Sequence, residues 1–248
     1  MDIPDFTKLS NHVFEVLNKL RTDPRSFIPE LTTMKTHFKS NEYRNPSLDY
    51  SVWTEEGVAA VEDAIQFLLK ASGANRLERD PALDSSAQKL IDLIGPMGYD
   101  SHGEGKDSME ERVKAAKGDN SCIAENISLG WGIASEIVLQ LLIDDGAKQR
   151  PNRLNLFSNK FTNIGIAAGQ HKSHSYACVL DFWGKKQSSA SFDKYEIDKN
   201  EWPPNAISLF KHLESEIKGN MKHIKLTYEF TLNNGQKAFK EKVFQEPI

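Results

Sequence analysis

The hydrophobic periodicity of the chain changes once, and that change constrains the fold more than any other feature. Up to Ile143 the apolar residues recur at intervals of three and four, the spacing of one helical face. Val13, Phe14, Val16, Leu17 and Leu20 mark a helix over 6–20, ended by Asp23-Pro24 because the residue before proline avoids the helical region. A short helix is expected over 27–34, and 37–52 reads as a polar loop. Thr54 is the expected N-cap of a helix over 55–71. Pro81 opens another, with Leu83, Ala87, Leu90 and Ile94 inward and Gly95-Pro96 as its stop. The capping box Ser108 to Glu111 starts a helix to Lys117, and 135–143 forms the next. Beyond that point the apolar residues come in short continuous runs. Those over 163–169 and 176–183 read as two buried strands with a turn between them. Helices first and strands afterwards give an α+β chain.

The tail has its own character. A polar linker over 184–191 is followed by Trp202-Pro203-Pro204 and a short apolar patch at Ile207, Leu209 and Phe210. Alternating runs over 224–232 and 236–244 flank Asn233-Asn234-Gly235, a strong hairpin signal. The expected division is a main domain over 1–183 and an extension with a β-hairpin over 184–248.

Charge and composition exclude several classes. The 31 Lys and Arg against 35 Asp and Glu give a net charge of -4, with no basic footprint for nucleic acid. The longest apolar run, 137–143, is too short to span a bilayer. Residues 1–8 have neither a basic nor an apolar leader region, so the expectation is an intracellular protein. Secretion by an unrecognised route is the alternative. Cys122 and Cys178 are expected as free thiols, since a disulfide scaffold of this size carries more cysteines.

Four segments could carry chemistry: His102 in a glycine-containing loop, Glu125 in Ala124-Glu125-Asn126-Ile127, Asp144-Asp145-Gly146, and Arg150-Pro151-Asn152-Arg153. No nucleophile elbow, phosphate loop or dinucleotide glycine pattern accompanies them. Glu125 on its own reads more readily as a structural tie than as a base. His171 and His174 fall in the turn between the two strands and are expected to be solvated rather than metal-bound.

In order, these segments resemble the CAP superfamily of cysteine-rich secretory proteins, antigen 5 and pathogenesis-related type 1 proteins, in its disulfide-poor branch. The likeness rests on Asn18 to Pro24, Thr54 to Gly57, His102, Ala124 to Ile127, Ile143 to Gly146, Phe161 to Ala167, His171 and Cys178 to Phe182, and covers about 10–183. It implies a three-layer α-β-α sandwich. It also implies a cleft with two His and two acids, which holds a divalent metal in some members. The corresponding positions here are His102, Glu125, Asp145 and Asn152.

Asn152 stands where the resemblance implies His, and an amide is a poor zinc ligand. The expectation is therefore no catalytic residue, no cofactor and no tight metal site, with His102, Glu125 and Asp145 left as weak ligand candidates. The expected role is non-catalytic: a structural or interaction component with protein partners in an intracellular assembly, cytoskeletal or ciliary. A lipid- or sterol-binding module is the first alternative and a metal-assisted hydrolase the second.

Overall fold

The computed structural model describes residues 3–44, 51–119, 122–184 and 201–247, with Gly219 and Gly235 excepted. The chain divides into two units, Met1–Lys186 and Gln187–Ile248. Most of the expected linker and the loop at Asn45-Pro46-Ser47 lie outside the described residues.

In the first unit, α1 (Phe6–Thr22) leads through a 3-10 turn into α2 (Ile28–Lys35). Three two-residue strands follow, β1 (Phe38–Lys39), β2 (Glu42–Tyr43) and β3 (Val52–Trp53), paired in that order. Then come α3 (Val58–Lys70), β4 (Glu78–Arg79), α4 (Pro81–Met97), α5 (Met109–Lys117), β5 (Ile123–Leu129), α6 (Ala134–Ile143), α7 (Pro151–Phe157), β6 (Asn163–His171) and β7 (Ser175–Trp183). The main sheet has the order β4-β6-β7-β5. It is antiparallel except for β4, which runs parallel to β6.

Side-chain alternation along the strands builds the layers. Cys178, Leu180 and Phe182 of β7 enter one core with α1, α3 and α6. Ala177 and Val179 enter a second core with Ala87, Leu90, Ile91 and Ile94 of α4. The sheet is thus covered on both faces, the α-β-α sandwich that the resemblance implies. Gly165 of β6 lets α4 come close: a Cβ there would lie 2.0 Å from the carbonyl carbon of Leu83. Both cysteines are free thiols.

Several local expectations need correction. Thr54 does not cap α3; its hydroxyl donates to the Asn41 carbonyl at 2.8 Å, and the helix begins at Val58 after Gly57 at φ 62°. The loop expected over 37–52 carries the small sheet of β1, β2 and β3. Helix α4 runs through Gly95 and Pro96 to Met97. Left-handed Gly98 then closes it, donating to the Ile94 carbonyl at 2.8 Å. Pro96 is tolerated there at the cost of one backbone donor.

The second unit is a three-stranded antiparallel sheet of β8 (Ala206–Lys218), β9 (Met221–Leu232) and β10 (Lys237–Pro247), ordered β10-β9-β8. The expected hairpin is β9 and β10, with Thr231 opposite Lys237 across the Asn233-Asn234 turn. The patch at 207–210 belongs to β8, a full strand that the two prolines before it obscure in the sequence. Ile224, Leu226, Tyr228 and Phe230 are buried along one face of β9, packed with Trp202, Ala206, Ala238 and Phe244.

Candidate functional site

The first pair of candidate groups is joined directly. His102 follows α4 in a loop, and its Nδ1 lies 2.7 Å from Glu125 Oε1. Glu125 sits on edge strand β5, whose Ile127 and Leu129 pack into the core under α4, so its side chain faces α4 and α5. Arg112 of α5 donates through Nη2 to Glu125 Oε2, and both side chains are buried. Arg112 Nη1 donates to the carbonyls of His102, at 3.0 Å, and Asp107. Both Glu125 oxygens are therefore engaged, one by an exposed imidazole and one by a buried guanidinium.

Asp181 of β7 stands opposite Glu125 in register and is wholly buried. Burial, and then the adjoining Glu125 carboxylate, push the Asp181 carboxyl well above the usual range. Burial also raises Glu125, but the His102 hydrogen bond and the charge of Arg112 outweigh it and leave Glu125 below its ordinary value. The Glu125 hydrogen bond raises His102. The chemistry of the cluster is an ionised Glu125 between a cationic partner and a neutral carboxylic acid.

The second pair differs from the sequence expectation. Asp144, not Asp145, meets Asn152. Left-handed at φ 55°, Asp144 ends α6 and caps α7: Oδ2 accepts Asn152 N–H at 2.8 Å, and Oδ1 accepts the Asn152 amide at 2.7 Å. Asp145 turns away and accepts the backbone N–H groups of Glu55, at 2.6 Å, and Glu56, at 3.0 Å. Adjacent residues cannot share one direction, and the cap takes Asp144. Arg150 locks the same corner through Glu56, at 2.5 and 2.7 Å, and Asp63, at 3.1 Å. The Arg150 hydrogen bond holds the Glu56 carboxyl down to about 2.

The two pairs hang on consecutive residues of β5. Glu125 serves the His102 pair, while Asn126 turns to the opposite face. There it donates to the Asn152 carbonyl at 3.1 Å and accepts from Asn155 at 2.8 Å. No hydrogen bond or ion pair among the described residues joins one pair to the other directly. A cavity of about 290 Å³ lies beside the second pair; its lining includes Asp144, Asp145, Asn152, Trp53 and Trp131, but neither His102 nor Glu125.

A model of the cysteine-rich secretory protein family, CAP, matches residues 14–182, the α-β-α unit from within α1 to the end of β7. The chain belongs to the CAP family. Among solved structures, an outer surface protein from Borrelia burgdorferi is similar at 19% identity and a TM-score of 0.38, covering 46% of this chain and 80% of that one. No curated protein matches.

The divalent metal that some CAP proteins hold does not fit this cleft. Zinc takes imidazole, thiolate or free carboxylate donors. Here His102, Glu125 and Asp145 bring no three donor atoms to one point, Asp145 instead capping backbone N–H groups, and Asn152 offers an amide tied to Asp144.

Three groups of this CAP site escape sequence reasoning. Arg112 looks like any charge on a short polar helix. Asp144 is indistinguishable from its neighbour Asp145. Asp181 does leave a signal, as the single charge inside the apolar run from Ala177 to Phe182. His171, expected to be solvated, is in fact buried at the end of β6; His174 is exposed, as expected.

Proposed function

We propose that this CAP protein is a non-catalytic binding body, a component of an intracellular assembly. The observation that carries the reading is the dispersal of the four cleft positions: His102 pairs with Glu125, Asp145 caps backbone N–H groups, and Asn152 is tied to Asp144. A metal-assisted hydrolase needs several donors that meet at one ion. The host assembly in this reading is cytoskeletal or ciliary.

The docking element of this reading is β10. It is an edge of the C-terminal sheet, and it presents Phe239 and Val243, 62% and 67% exposed, to solvent. An edge strand with free backbone groups pairs with a strand of another chain.

The test is purification from the native source, with size exclusion, crosslinking and mass spectrometry. The reading expects a large assembly with reproducible stoichiometric neighbours crosslinked near β10, and loss of that assembly in Phe239→Glu. A monomer near 28.0 kDa contradicts it.

The cavity beside Asp144 favours a second reading. Met34, Phe38, Tyr43, Trp53, Trp131 and Leu139 give it an apolar wall suited to a lipid or sterol. Monomer carrying extractable lipid after mild purification supports this second reading. The third, a hydrolase using His102 and Glu125, requires an activity lost in Glu125→Gln.

A further inference from the structure

A separate cluster lies away from the cleft, where the turn between β6 and β7 meets the end of α4. His171 closes β6, His174 lies in the turn, and Asp100 follows Gly98 and Tyr99. His174 Nε2 is 3.1 Å from the Asp100 carboxylate, and His171 Nε2 is 4.0 Å from Asp100 Oδ1. One donor atom from each of the three residues lies within 4.8 Å of the others. Donors bound at 2.0–2.1 Å around a tetrahedral metal stand about 3.3 Å apart. The two separations from Asp100 lie on either side of that value, so Asp100 is placed to share an ion with each imidazole.

The frame is built independently of any ligand. Lys172 N–H donates to the Gly95 carbonyl at 2.9 Å, and the Ser173 hydroxyl donates to the Gly98 carbonyl at 3.1 Å. These bonds pin the turn to the helix end. The His171 ring is buried, 5.2 Å from the His174 ring centre to centre. The last turn of α4 carries no basic residue, so its partial negative charge has no cation of its own there.

We infer that Asp100, His171 and His174 form a site for a divalent transition-metal ion of the zinc class. Two imidazoles and one carboxylate supply three ligands, and water takes the fourth position. His171 now donates from Nε2 to the Tyr99 carbonyl at 3.2 Å and accepts His174 N–H on Nδ1 at 3.3 Å. A metal on Nε2 moves that proton to Nδ1 and ends both contacts. The exchange costs two hydrogen bonds and holds affinity to about the micromolar range. This inference does not depend on the reading given under Proposed function.

The test is titration of the full chain with Co²⁺ and Zn²⁺, followed by calorimetry and by visible absorption of the cobalt form. The expected result is one ion per chain with the absorption of a tetrahedral cobalt centre. His174→Ala and Asp100→Ala, both at exposed positions, weaken binding by about tenfold or more without changing the thermal midpoint of the metal-free protein. His102→Ala leaves binding unchanged. No saturable binding in the micromolar range overturns the inference, as does binding that survives His174→Ala or is lost in His102→Ala.

Discussion

Glu125 is ionised although it is buried, because an imidazole and a guanidinium each hold one of its oxygens. Removing its charge strands Arg112, whose side chain is 3% exposed. Glu125→Gln should therefore cost about 3–5 kcal/mol in urea unfolding, the cost of an unpaired buried charge. The pH dependence has opposite signs at the two partners. Glu125 is lowered, so its contribution is full above the ordinary carboxylate range and is lost as pH falls through its folded value. His102 is raised, so its contribution is full below the ordinary histidine value and is lost as pH rises through the folded one. Asp181 behaves differently. Its raised carboxyl must hold a proton that the unfolded chain releases, which costs stability above the ordinary aspartate range. Asp181→Asn should raise the thermal midpoint at pH 7, with the gain shrinking towards pH 4 as the unfolded carboxyl protonates.

At the scale of elements, buried charges tie segments together. Arg21 of α1 is fully buried and donates to the carbonyls of Asn75 at 2.7 Å, Leu156 at 2.5 Å and Ser158 at 3.1 Å. Burial lowers its pKa to about 10. It fastens α1 to the end of α7, where helix carbonyls lack partners of their own. Arg21→Lys should lose about 1.5–3 kcal/mol for each bond not remade, measured by chemical unfolding.

Amphipathic elements are legible in the sequence, and elements without a single apolar face are not. Helices α1, α2, α3, α4, α5 and α6 and strands β6, β7, β9 and β10 follow from periodicity or from turn and cap residues. Strand β5 does not, because Glu125, Asn126 and Ser128 are buried polar residues satisfied only in the folded state. Helix α7 is a short segment behind a proline, held by the distant cap Asp144. Of the expected cleft residues, His102 and Glu125 meet as a pair and Asn152 takes part in a second. Asp145 gives way to Asp144 because the turn at φ 55° decides which neighbour points inward.

At the scale of the whole molecule, the CAP unit and the C-terminal sheet divide the proposed work. The first supplies a body crossed by buried charge clusters, and the second supplies an edge for a partner. No helix among the described residues is long and apolar enough to cross a membrane. Glu125 is held within the His102 and Arg112 cluster and takes no part in metal binding on this reading. Carbon NMR of the side-chain carboxyl and imidazole groups during a zinc titration tests this most directly. The His171, His174 and Asp100 signals should move while those of Glu125 and His102 stay still, with Glu125 ionised throughout. Zinc-dependent shifts at Glu125 and His102 would contradict it.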